Sequence, residues 1–208
     1  MARKTKADAQ ITRDQLLDAA EFLFQERGVS RTSLQQIADQ AGLTRGAIYW
    51  HFKDKGELFC AMVDRVHLPF EEIIEQLQQD ASHSPLTRLR QIMLRGLSHI
   101  QSDAHTRRVF EIVTQKVELV DEIRTVIDRF QECRHEFLTL IEDEIKAAQQ
   151  NGDLRSDMPA RMAAITLHSL IDGMIYNWLL DPTDHDLFET GNHAYEIFEA
   201  GLRTQRPG

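Results

Sequence analysis

Residues 33–52, Ser-Leu-Gln-Gln-Ile-Ala-Asp-Gln-Ala-Gly-Leu-Thr-Arg-Gly-Ala-Ile-Tyr-Trp-His-Phe, constrain this chain more than any other stretch. They encode two short helices joined by a tight turn. Leu34, Ile37 and Ala38 recur at helical spacing and give the first helix one apolar face. Ser33 can cap that helix, and Gln36, three residues on, completes a capping box. Gly42 supplies the backbone freedom that a sharp turn requires. Thr44 stands where a second helix needs its own cap. Helix-turn-helix units lay their second helix in the major groove of DNA, with its N-terminal residues at the base edges.

The charge distribution agrees with a small DNA reader on a larger body. The chain has 208 residues and a net charge of −9, which argues against a protein coated in nucleic acid. Residues 1–55 carry nine Lys/Arg against seven Asp/Glu, net +2, while the remainder carries fifteen against twenty-six, net −11. We therefore expect a helix-turn-helix domain over 1–55, including the start of a fourth helix, and a second domain over 56–208. Cys60 and Cys133 read as thiols in a reducing compartment, with neither disulfide nor zinc-site spacing. No run approaches the ~18 apolar residues of a membrane span, and no apolar run follows the basic start, so we expect a cytoplasmic protein with no membrane partner.

The remaining periodicity is helical, and the pattern predicts an all-α fold of about nine helices. The first covers 12–27, capped by Thr12 and ended by Gly28. Asp54 with Glu57 opens a fourth helix that runs to about 80, with Pro69 inside it as a kink or break, either a hinge or only a packing bend. Ser84-Pro85 opens a fifth helix, to about 102. A short helix over 105–115 and a long one over 119–150 follow, the latter stopped by Asn151-Gly152. The next helix starts at Asp157-Met158-Pro159 and is apolar nearly all round, so it should be buried on more than one side. The last spans about 186–203. The helices after residue 55 form a helical bundle.

On the second short helix, Arg45 suits the bidentate contact to guanine, and Thr44 and Ala47 are short enough to touch a thymine methyl. Gly46 removes bulk from the same surface. Tyr49, His51, Thr32, Ser33 and Lys55 are cast as phosphate binders, with Trp50 on the same helix. Lys55 also stands at a helix N-terminus that can receive a phosphate. Ile48 and Phe52 are read as core. Arg3, Lys4 and Lys6 form an arm that reaches a neighbouring groove or stays disordered.

Thr-Arg-Gly-Ala-Ile-Tyr-Trp-His-Phe-Lys-Asp-Lys (44–55) resembles the DNA-binding domain of the TetR family of bacterial repressors. The likeness is greatest to its AcrR/TtgR-like branch, which represses multidrug efflux operons. Weaker similarity continues through Thr106-Arg107-Arg108 with Glu111-Ile112, and Asp172-Gly173 with Trp178-Leu179. The resemblance implies DNA contacts from Thr44, Arg45, Tyr49, His51 and Lys55. It also implies a homodimer built on the last two helices, a palindromic double-stranded operator, and a pocket in the bundle for a hydrophobic or cationic small-molecule inducer. The alternative is a regulator of the same type on a metabolic or stress operon.

Polar and bulky residues that interrupt the apolar helices nominate a cavity lining. They are His67, Met93, Phe110, Thr114, Phe137, Ile141, His168, Asp172 and Tyr176. Each also reads as plain core. His99 with His105, and His185 with His193, lack the spacing and third ligand of a helical metal site, so no metal and no cofactor is expected. The chain has no nucleophile elbow, phosphate loop or nucleotide fingerprint, which speaks against an enzyme. Its acidic body speaks against an architectural DNA protein.

Overall fold

The computed structural model describes residues 6–80, 82–117 and 124–203. Nine α-helices are present among the described residues: α1 Lys6–Arg27, α2 Leu34–Gln40, α3 Arg45–His51, α4 Lys55–Gln79, α5 Pro85–Ser102, α6 Ala104–Gln115, α7 Arg124–Gln150, α8 Ala160–Leu180 and α9 Leu187–Leu202. The arm residues Arg3 and Lys4, and the expected start of the long helix near 119, lie outside the described residues.

Local chemistry sets most helix ends. Gly28, Gly42 and Gly152 take positive φ values of 87°, 67° and 78°, the left-handed backbone that ends or turns a helix. The Ser33–Gln36 capping box is complete. The Thr44 hydroxyl accepts from the Ala47 N–H, and Ser84 caps α5 with Pro85 in the first turn. Asp54 accepts from the Glu57 N–H at 2.8 Å, while Glu57 reaches back to the Lys53 N–H at 2.6 Å.

Three expectations change. The first helix begins at Lys6, so Thr12 is interior rather than a cap; its hydroxyl donates to the Asp8 carbonyl one turn earlier. The fourth helix stays helical through Pro69 and is not broken there. One side of α8 is open within the chain: Met162, Ile165, Leu170, Tyr176 and Leu180 are exposed. Its near-continuous apolarity therefore does not mean burial inside a single chain.

The chain divides into two compact units, Met1–Leu68 with Arg108–Phe130, and Pro69–Arg107 with Gln131–Gly208. The first unit's core joins Leu16, Leu17 and Phe24 of α1, Ile37 of α2, Ile48 of α3, and Phe59 and Met62 of α4. It also takes in Val109 and Ile112 of α6, an apolar pair far away in sequence. Around that core, Glu21 pairs with Arg108 at 3.0 Å, and Gln25 donates to Glu111 at 2.9 Å.

In the second unit α9 packs on α5 and α8. A Cβ added to Gly191 would lie 2.1 Å from Leu97, so the small residue is what allows α9 its close approach to α5. The buried Tyr195 hydroxyl donates to the Leu86 carbonyl at 2.8 Å. Arg88 of α5 makes a two-pronged pair with the buried Glu144 of α7, at 3.0 and 2.8 Å. No helix among the described residues is long and apolar enough to cross a membrane.

Candidate nucleic-acid interface

Helix α3 has seven residues, too few to be stable alone in water. Two features hold it in place. Ile48 is fully buried, and Phe52, just past the C-terminus, is buried beside it. The Thr44 cap fixes the other end. With one side anchored, the helix presents Thr44, Arg45, Gly46, Tyr49 and Trp50 to solvent, while Ala47 and His51 are half-buried. Trp50 is 72% exposed and Tyr49 49% exposed, so neither is a core aromatic.

The exposed side chains are ordered by one another. The Arg45 guanidinium lies over the Tyr49 ring, 5.5 Å from its centroid. Trp50 meets His51 edge-on at 4.5 Å. A planar cation, a phenol, an indole and an imidazole thus stand on one seven-residue helix. That set can donate to base edges and phosphate oxygens.

Two residues expected at the phosphates have side-chain bonds within the fold. Thr32 is 1% exposed, and its hydroxyl donates to the Gly28 carbonyl at 2.8 Å. It has no surface to offer DNA. Lys55 is half-buried and its ammonium donates to the Ser30 and Thr32 carbonyls, at 3.2 and 3.1 Å. It closes the loop before α2, which the sequence spacing of twenty-three and twenty-five residues conceals. Ser33 is exposed, with its hydroxyl engaged by Gln36.

The nine cavity candidates do not fall in one unit. His67, Phe110 and Thr114 belong to the first, and the other six to the second. Phe110 packs against the first unit's core. Thr114 is exposed and donates back to the Phe110 carbonyl at 2.7 Å. In the second unit Met93 and Ile141 are buried. His168 pairs through Nδ1 with Asp172 at 2.8 Å and meets the Phe137 ring edge-on at 5.7 Å. Asp172 and Tyr176 are exposed within the chain. A groove of about 450 Å³ in this unit is lined by Ser84, Leu86, Thr87, Arg90, Gln91, Leu94, Asp153, Glu199 and Arg203, and none of the candidates borders it.

Cys60 and Cys133 are both half-buried, and neither is in a disulfide. Among the described residues no three His, Cys, Asp or Glu side chains are grouped to hold a metal ion. His99 instead bonds the Thr106 hydroxyl at 3.1 Å, and His185 bonds Asp184.

A capped, core-anchored recognition helix joined to an all-α second unit defines a DNA-binding transcriptional regulator. Residues 16–62 match the bacterial regulatory proteins of the tetR family, and residues 84–199 match the C-terminal region of MAATS-type transcriptional repressors. The chain belongs to the TetR family. It is 38% identical to the transcriptional repressor BepR of Brucella suis over 201 residues, covering 97% of this chain and 96% of BepR. NalD, the secondary repressor of the MexAB-OprM multidrug efflux pump in Pseudomonas aeruginosa, superimposes with a TM-score of 0.88 at 36% identity, covering 96% of this chain and all of that one. SmeT, the repressor of the Stenotrophomonas maltophilia multidrug efflux pump SmeDEF, was solved as a triclosan complex. That complex matches with a TM-score of 0.82 at 34% identity, covering 96% of each chain. TetR-family repressors bind operator DNA and small-molecule effectors, typically as dimers.

Proposed function

We propose that this protein represses a multidrug efflux operon and leaves its operator when a hydrophobic small molecule binds the second unit. The observation that carries this is α3: its inner side is locked by Ile48 and Phe52 while Arg45, Tyr49 and Trp50 stand exposed. The pump repressors NalD and SmeT support the choice of operon, and the triclosan complex of SmeT supports a hydrophobic effector.

A homodimer completes the reading. Met162, Ile165, Leu170 and Leu180 of α8, with Phe188 and Ile197 of α9, leave an apolar surface open in the single chain. A second copy covering it would place two α3 helices across a two-fold axis, which suits a palindromic operator. Helices α4, α6 and α7 have residues in both compact units and are the continuous elements through which effector binding would reach α3. The coupling required is modest, since about 1.4 kcal/mol changes affinity tenfold.

The test is fluorescence anisotropy on a labelled duplex from upstream of the protein's own gene, at fixed salt, titrated with triclosan and a panel of hydrophobic cations and dyes. Tight binding released by at least one of them supports the proposal. Tight binding that none releases refutes effector control by this class, and absence of binding to upstream DNA refutes control of its own operon.

A further inference from the structure

We propose that Arg13, on α1, is a phosphate-binding residue of the DNA interface, positioned by stacking on the aromatic residue that ends the recognition helix. The inference rests on the reading of α3 as the DNA-reading helix. It adds a contact from an element that the helix-turn-helix pattern does not include.

Five arginines of the first unit show two kinds of partner. Arg27, Arg65 and Arg108 meet carboxylates of Glu26, Asp18 and Glu21, at 3.1, 2.8 and 3.0 Å. Arg13 and Arg45 meet aromatic rings. Arg45 lies over Tyr49 within α3, and Arg13 lies over Phe52, 5.2 Å from the ring centroid. Phe52 is the C-cap of α3 and is 1% exposed, so its ring is a fixed platform. Arg45 thus lies over a ring within the recognition helix, and Arg13 over the ring that caps its C-terminal end.

The chemistry of this contact differs from an ion pair. A ring face attracts the cation without accepting its in-plane N–H donors, and a guanidinium carries five of them in a rigid fork suited to phosphate. No carboxylate is paired with Arg13 among the described residues, and its side chain is partly open to solvent. An arginine that served only the fold would be expected to hold a carboxylate, as Arg27, Arg65 and Arg108 do. Exposed Lys53 follows Phe52 directly and adds a second cation to that end of α3. Phosphates flanking the groove are the acceptors that such a rim fits, because base edges are met from the N-terminal end of a recognition helix.

The test measures the salt dependence of binding for wild type, Arg13→Gln and Arg13→Lys. The probes are a labelled duplex from upstream of the protein's own gene and an unrelated duplex of equal length. One phosphate contact contributes about 0.9 to the slope of log affinity against log salt. Arg13→Gln should lose that increment, so its deficit relative to wild type should shrink about threefold to fourfold between 50 and 200 mM salt. The deficit should be the same factor on both duplexes, and Arg13→Lys should restore the slope. Arg13→Gln retaining the wild-type slope, with or without a lower melting temperature, overturns the inference and leaves Arg13 as a packing residue. Should Arg13→Gln not fold, a reduced slope in Arg13→Lys overturns it as well, since the charge is still there. Wild type that binds neither duplex with any salt dependence would overturn the reading of α3 itself, a result distinct from a normal wild type with an unaltered variant.

Discussion

Adjacent residues of α3 should respond to truncation in opposite ways. Ile48 is fully buried and is the buried residue within α3 itself, whereas Tyr49 is 49% exposed. Ile48→Ala removes three carbons from the first unit's core. At about 0.8 kcal/mol per buried methylene the transfer loss is roughly 2.4 kcal/mol, and the cavity left behind raises it to ~3–4 kcal/mol. For a chain of this length each kcal/mol shifts the melting temperature by about 2–4 °C, so the fall should be roughly 10 °C. Tyr49→Ala removes an exposed ring and its stack under Arg45, which should change stability by less than about 0.5 kcal/mol. If Tyr49 donates to a phosphate, its loss should nonetheless weaken operator binding about tenfold or more, the value of a hydrogen bond to a charged group. Thermal melts by circular dichroism and anisotropy on operator DNA, run on both variants, separate the two effects. A Tyr49→Ala protein as destabilised as Ile48→Ala would refute the assignment of one side of α3 to the core and the other to DNA.

Three further outcomes follow from the same geometry. Thr32→Val should cost about 1–2 kcal/mol, because the Gly28 carbonyl loses its buried donor, while operator affinity of the folded protein stays unchanged; a selective loss of DNA binding would contradict the inward placement of Thr32. Glu144→Ala should destabilise the second unit by about 3 kcal/mol in denaturant titrations, since Arg88 is left largely buried without its carboxylate. Burial holds the Tyr195 hydroxyl well above its ordinary pKa of about 10, so the folded state keeps a proton that the unfolded chain releases. Stability from this group is intact below about pH 10 and falls as pH rises beyond it, and melts of Tyr195→Phe across pH 9–11 should lack that part of the decline.

Helix ends were legible in the sequence where a short-range signal decides them. Ser33 with Gln36, Thr44, Ser84-Pro85, Gly42 and Gly152 all act within a few residues of themselves, and each does what its spacing predicts. Thr12 misled because a threonine hydroxyl can bond either forward as a cap or back to the preceding turn, and only the helical start at Lys6 distinguishes them. Thr32 and Lys55 misled for a different reason. Polar residues beside a recognition helix read as DNA contacts until packing shows Thr32 buried and the Lys55 ammonium held by carbonyls more than twenty residues away. Phe110 belongs with the first unit's core for the same cause, as α6 carries Val109 and Ile112 back onto α1 and α4. Arg13 has no local signal at all, because its platform, Phe52, lies thirty-nine positions further along the chain.

That α3 reads base sequence is tested most directly by measuring wild type and Arg45→Ala on a set of operator duplexes with each base pair replaced in turn. Wild type should lose about 1–3 kcal/mol at one guanine-containing pair in each half-site, and Arg45→Ala should bind more weakly overall while losing its preference at that pair. An Arg45→Ala protein that is weaker by the same factor on every duplex, with its preference at each position intact, would contradict base reading by Arg45 and reduce it to another phosphate contact.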